Sequence, residues 1–240
     1  MSPLEELLFK SCEKIDVKLD EKQIGQFMAY KDLLLEWNEK MNLTAITDER
    51  EIMLKHFADC LMLCPETDAL GGKTVIDVGT GAGFPGVPLK IARPELEVTL
   101  LDSLNKRITF LNEVVSGLGL EKVKCLHLRA EDGGADKNLR EKFDLCVSRA
   151  VADLSVLSEY CLPFVKVGGY FISMKGPDVS EEIERAKKAV KILGGSIEEI
   201  KKTAIPGTDI VHSLVIIKKA KPTPPKYPRK AGKAKKEPIV

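Results

Sequence analysis

The chain has 240 residues, 44% of them hydrophobic and 30% charged, which is enough apolar material for a sizeable core with at most a small appendage. No stretch approaches the roughly 18 uncharged apolar residues that span a bilayer. The start, Met1-Ser2-Pro3-Leu4-Glu5-Glu6, is acidic where a secretory signal is basic and then apolar, so a cytoplasmic protein without a membrane partner is expected. Six scattered cysteines with no C-x-x-C pair predict reduced thiols and no metal site.

Residues 1–70 read as a helical N-terminal extension. Leu4, Leu7, Leu8 and Ser11-Cys12 mark one apolar face, and Asp20 caps a second helix running through Ile24, Phe27, Met28, Leu33, Leu34 and Trp37. A third is expected from Thr47-Asp48 to Leu63, ended by Pro65. The texture changes at Gly71-Gly72. Thr74–Val78 is a short β-branched run of the kind buried in parallel sheets, and further strand candidates lie at 97–101, 123–128, 143–147, 169–174, 196–203 and 211–218. Helical stretches at 87–92, 105–118, 154–165 and 180–193 separate the earlier ones. This alternation predicts an α/β fold over residues 71–218, a Rossmann-like, doubly wound, mostly parallel sheet of about seven strands. Pro206-Gly207 offers a turn where a helix would be needed, so the last strand is expected to run antiparallel. Residues 219–240 form a basic tail. From Lys218 onward nine Lys or Arg face the single acid Glu237, so a net charge of +1 conceals an acidic body. Such a tail suits either a polyanionic partner or plain solvent.

The first strand runs into Asp77-Val78-Gly79-Thr80-Gly81-Ala82-Gly83-Phe84-Pro85-Gly86. Glycines at 79, 81 and 83 let backbone approach a ligand at the carboxyl end of a strand, where doubly wound sheets bind one. The segment contains G-x-G-x-x-G, and Asp102 follows Gly81 by about twenty residues, a pattern compatible with NAD. Two features favour S-adenosylmethionine instead. Asp77 suits hydrogen bonding to loop backbone or to an ammonium group and has no evident task beside a pyrophosphate, and Pro85 and Pro88 remove N–H groups that a phosphate at a helix start would use. Asp102 is placed to reach ribose hydroxyls, with helix capping by Asp102-Ser103 as the alternative. Arg129-Ala130-Glu131-Asp132, after the third strand, either holds adenine or is a plain loop. The fourth strand ends in Ser148-Arg149 without the Asn/Asp-Pro-Pro-aromatic motif of amine methylation or the cysteine of cytosine C5 chemistry. An acceptor whose lone pair is already available, such as guanine N7, fits that absence. No catalytic residue is assigned.

With these segments assembled, the chain resembles a family, the bacterial small-subunit ribosomal RNA guanine-N7 methyltransferases G, also called glucose-inhibited division protein B. The similarity includes Trp37-Asn38-Glu39-Lys40-Met41-Asn42-Leu43-Thr44, His56 with Asp59, Asp77 to Gly86, Asp102-Ser103-Leu104-Asn105-Lys106-Arg107, Lys175-Gly176 and Lys226-Tyr227-Pro228-Arg229-Lys230. The resemblance implies methylation of N7 of one guanine in 16S rRNA, presented as the 30S subunit or an assembly intermediate, by a monomer. It implies cofactor contacts at Gly79, Phe84, Ala130, Glu131 and Arg149. On this reading Lys175, Lys226, Tyr227, Arg229 and Lys230 are candidate RNA contacts, and loss of the tail is expected to spare cofactor binding. The competing readings are an NAD-dependent oxidoreductase on the same core and a non-catalytic RNA-binding module.

Overall fold

The computed structural model describes residues 1–149 and 151–240. Two capping boxes open the chain: Ser2 with Glu5 starts α1 (Pro3–Glu13), and Asp20 with Gln23 starts α2 (Glu21–Met41). Asn42, left-handed at φ 48°, ends α2. The third helical stretch is continuous but not uniform. A π-helical segment, Ile52–Ala58, lies between the short turns α3 (Glu49–Glu51) and α4 (Asp59–Leu61). Pro65 follows the end of this stretch, as expected, but also opens a helix that was not expected. It sits in the first turn of α5 (Cys64–Leu70), where its missing N–H leaves no hydrogen bond unmade.

The rest alternates in the expected way. β1 (Thr74–Val78), α6 (Gly86–Ala92), β2 (Glu97–Asp102), α7 (Asn105–Gly117) and β3 (Val123–His127) build one half. A helix that the sequence reading left open between loop and binding site, α8 (Ala130–Ala135), leads to β4 (Phe143–Arg149), α9 (Leu154–Cys161), β5 (Val165–Lys175) and α10 (Ser180–Ile192). β6 (Gly195–Ala204), β7 (Val211–Lys219) and the short α11 (Lys233–Lys236) complete the chain. The seven strands stand in the order β3-β2-β1-β4-β5-β7-β6. β7 is antiparallel to both its neighbours, and the other pairings are parallel. The order reverses direction between β1 and β4, which opens a crevice at their carboxyl ends.

Side chains alternate across the sheet and divide the interior in two. Val75, Leu145, Val147, Ile172, Met174, Leu214 and Ile216 face α1, α2, the π-segment, α6 and α7. Ile76, Val78, Cys146, Phe171, Val215 and Ile217 face α9 and α10. The N-terminal helices therefore share one core with the sheet. Phe27, Tyr30, Leu34 and Phe57 are wholly buried in it. Period two also sets the direction of the polar residues at the strand tips: Asp77 and Arg149 continue the rows of Val75 and Leu145-Val147, toward the N-terminal helices.

Candidate active site

A cavity of about 540 Å³ lies over the crevice, large enough for a nucleoside-sized ligand. Its floor is the turn after β1. Gly81 adopts φ +62°, and a Cβ there would meet nothing within 4 Å, so this position faces open space. Gly79 (φ +73°) is tighter, since a Cβ would fall 2.7 Å from Val151. Both line the cavity with Phe84.

Asp77 and Gly83, expected to touch a cofactor, lie beneath this turn instead. Asp77 is fully buried, and its Oδ2 accepts from Thr80 Oγ1 at 2.7 Å and Gly86 N at 2.8 Å. Its Oδ1 has no partner among the described residues, and burial pushes its pKa up to about 7. Asp77 thus holds the turn from below. Gly83 is packed between Tyr30, Val87 and Leu111, where a Cβ would come within 3.0 Å of each. Tyr30 adds a hydrogen bond from its hydroxyl to Ala82 O.

The start of α6 bears on the chemistry of the ligand. Gly86 N donates to Asp77, Val87 N to Gly83 O and Leu89 N to Pro85 O, while Pro88 has no N–H. These first-turn donors are already engaged inside the protein, so the helix start offers nothing to a pyrophosphate.

Asp102 stands at the tip of β2, only 2% exposed. One of its oxygens accepts from Gly81 N (2.9 Å) and Arg107 Nη1 (3.1 Å), the other from Leu104 N (2.9 Å). A carboxylate has about four acceptor sites, so capacity remains. Ser103, Ala130 and Glu131 continue the same wall, the last two in the first turn of α8. Glu131 Oε1 accepts from Gly232 N at 2.8 Å. The tail therefore reaches the cavity, and Gly232 and Lys235 are part of its lining.

The opposite wall comes from the N-terminal helices through Leu43, Thr44 and His56. Arg149 crosses to it. Its Nη1 donates to Asp59 Oδ2 at 2.8 Å and to Lys55 O at 3.1 Å, and its Nη2 to His56 Nδ1 at 3.1 Å. The guanidinium also lies 4.9 Å from the ring centroid of Phe84, on which His56 stacks at 4.5 Å. Asp59, wholly buried, accepts from His212 Nδ1 through its other oxygen. Burial, reinforced by the Arg149 charge, lowers the His56 pKa to about 4.

The candidate RNA contacts are distributed differently from expectation. Lys175 donates to Glu182 and Ala152 O, and Arg229 pairs with the buried Glu159 through both its backbone and its guanidinium. Tyr227 is half-buried against the α9–α10 side. Only Lys226 and Lys230 of that set are exposed. Thr44 and His56 entered the sequence analysis only through the resemblance, and neither they nor Tyr160, Gly232 and Lys235 were assigned to the site, because their place at the cavity depends on long-range packing. No group of three or more potential metal ligands occurs among the described residues, and no helix is long and apolar enough to cross a membrane.

Comparison with known proteins identifies the family. Residues 23–211 match the family model described as rRNA small subunit methyltransferase G. The chain is 55% identical over 234 residues to Ribosomal RNA small subunit methyltransferase G of Clostridium perfringens, covering 98% of each chain. It is 55% identical over 237 residues to the protein of that name from Acetivibrio thermocellus, covering 99% of this chain and 97% of the relative. Among solved structures, TrmN from Thermus thermophilus superposes with a TM-score of 0.51 at 14% identity, covering 70% of this chain and 53% of that one. Ribosomal protein L11 methylase from Lactobacillus delbrueckii subsp. bulgaricus does so at 0.50 and 20%, covering 68% and 77%. At such identities the likeness is one of fold. The sequence matches carry more, and with the cavity they place the chain in the rRNA small subunit methyltransferase G family.

Proposed function

We propose that the protein transfers a methyl group from S-adenosylmethionine to N7 of a guanine in 16S rRNA, presented in the 30S subunit or an assembly intermediate. The observation that carries the cofactor assignment is the glycine turn, open above Gly81 and closed to phosphate at the start of α6. The donor and acceptor set fits the same ligand. Asp102 has acceptor capacity for ribose hydroxyls, and Glu131 Oε2, without a protein donor among the described residues, can accept from an adenine amine.

S-adenosylmethionine supplies an electrophilic methyl on a sulfonium sulfur. The protein's share is positioning and exclusion of water, because guanine N7 presents its lone pair without losing a proton and no general base is required. Consistent with this, His56 is buried in hydrogen bonds and five of the six thiols are buried.

Incubating unmodified 16S rRNA or 30S subunits with the protein and S-adenosylmethionine, then mapping modified nucleotides by mass, is expected to find one 7-methylguanine. NADH binding without S-adenosylmethionine binding would favour the oxidoreductase, and RNA binding without methyl incorporation would favour a silent module. Gly81→Val, a side chain forced to φ +62° and into the open space, is expected to weaken S-adenosylmethionine binding at least about tenfold by calorimetry.

A further inference from the structure

Hydrogen-bond polarity on the N-terminal wall makes one hydroxyl a donor only. Arginine has five N–H groups and no acceptor, so His56 Nδ1 must accept the bond from Arg149 Nη2. The imidazole is neutral at physiological pH, in line with its lowered pKa. Its proton is therefore on Nε2, which donates to Thr44 Oγ1 at 2.8 Å. Ile46 N donates to the same oxygen at 3.0 Å. Both lone pairs of the Thr44 hydroxyl are thereby filled, and its own proton has no acceptor among the described residues. Thr44 is held in place from behind, since its N–H donates to Asn38 Oδ1 at 2.8 Å just after the left-handed turn at Asn42. Beside it, Arg149 uses three of its five N–H groups on Lys55, Asp59 and His56. Nε–H and one Nη2–H remain without partners among the described residues.

We infer that Thr44 and Arg149 form an oxygen-acceptor subsite that takes the amino-acid carboxylate of the cofactor, with Thr44 as a donor locked in that sense by His56. The inference rests on the cofactor reading above. The same donors could meet a carbonyl oxygen such as guanine O6, but charge separates the two sources. A guanine methylated at N7 is cationic and is repelled by Arg149, whereas a carboxylate is attracted and accepts charge-assisted bonds. The subsite also explains why a threonine outside the sheet domain faces the cavity at all: it reads the end of the ligand farthest from Asp102 and Glu131.

The test measures affinity by calorimetry for S-adenosylmethionine and for its decarboxylated analogue, on the full chain and on Thr44→Val and Thr44→Ser. Thr44→Val is expected to weaken S-adenosylmethionine about tenfold, the usual effect of one hydrogen bond to a charged group, and the decarboxylated analogue less than about twofold. Thr44→Ser, which keeps the hydroxyl, is expected to restore most of the difference and so to exclude a general loss of folding. Equal weakening of both ligands by Thr44→Val would overturn the inference, as would unchanged cofactor affinity with a raised KM for RNA, which would move the donor to the base. Failure of the full chain to bind either ligand would instead remove the cofactor reading.

Discussion

Two walls close the cavity, one from each end of the chain, and they are built from different materials. The N-terminal wall is buried polar chemistry: Arg149 and Asp59 are joined across the core to His56 and His212, with Asp59 wholly inaccessible. The C-terminal wall is a strap laid over the surface. It is tied by Arg229 to Glu159, by Gly232 N to Glu131, and by Arg140, which donates to the carbonyls of Thr223 and Tyr227. The first wall cannot leave without breaking the core, whereas the second can be detached at a few points. Rigid positioning and replaceable closure are thus assigned to separate parts of the molecule.

The sharpest way to break this comparison is Asp59→Ala. It leaves the largely buried Arg149 guanidinium without its carboxylate and is expected to cost about 3 kcal/mol of unfolding free energy in urea. A loss below about 1 kcal/mol would mean that the N-terminal network is as detachable as the tail. Arg229→Ala should cost less, about 2 kcal/mol, because Glu159 keeps the backbone N–H of residue 229 and the ion pair is partly solvated. Comparing its urea midpoint with that of Asp59→Ala ranks the two walls directly.

Deleting residues 231–240 is expected to leave the sheet folded, as judged by circular dichroism, and to weaken S-adenosylmethionine a few-fold, about the effect of one lost hydrogen bond at Glu131. This reverses the expectation drawn from the resemblance, on which loss of the tail spares cofactor binding. Unchanged affinity would restore that expectation.

The most gradual effect is a pH slope. His56 has its pKa lowered from 6.5 to about 4, so its contribution to stability is present above pH 6.5 and is lost as pH falls toward 4. Asp77 acts in the opposite sense. With its pKa raised from 3.8 to about 7, its contribution is present below 3.8 and lost as pH rises through 7. His56→Gln removes only the first. The stability difference between the two proteins should therefore change with pH between 4 and 6.5 by no more than about 1.4 kcal/mol per unit. A flat difference would mean that the ring does not titrate in the fold.

The sheet was legible because alternation and glycine carry local meaning. Thr74–Val78, the glycine turn and Asp102 could each be placed from their neighbours alone, and so could the antiparallel end after Pro206-Gly207. The short helix after Pro65 was missed because the residue that marks the end of one helix is also welcome in the first turn of the next. α8 stayed open because Gly133 and Gly134 lower helix propensity. Their reason lies elsewhere in the chain: a Cβ would press within 3.0 Å of Phe164 at one and of Pro228 at the other. The docked tail was invisible for a related reason. Its lysines and prolines match a solvated arm, and only Glu159, seventy residues away, shows that Arg229 is an anchor. Thr44 and His56 became site residues through a core that no local pattern describes.

The position of β7 has a consequence for how the molecule is made. It is the last strand in the chain, yet it lies inside the sheet between β5 and β6 and supplies side chains to both cores. A ribosome that has not yet reached Lys219 therefore holds a nascent chain with β5 and β6 presenting bare edges, the kind of surface that invites pairing with other chains. Completion waits on the final strand, and the tail that follows it can then be drawn across the finished surface.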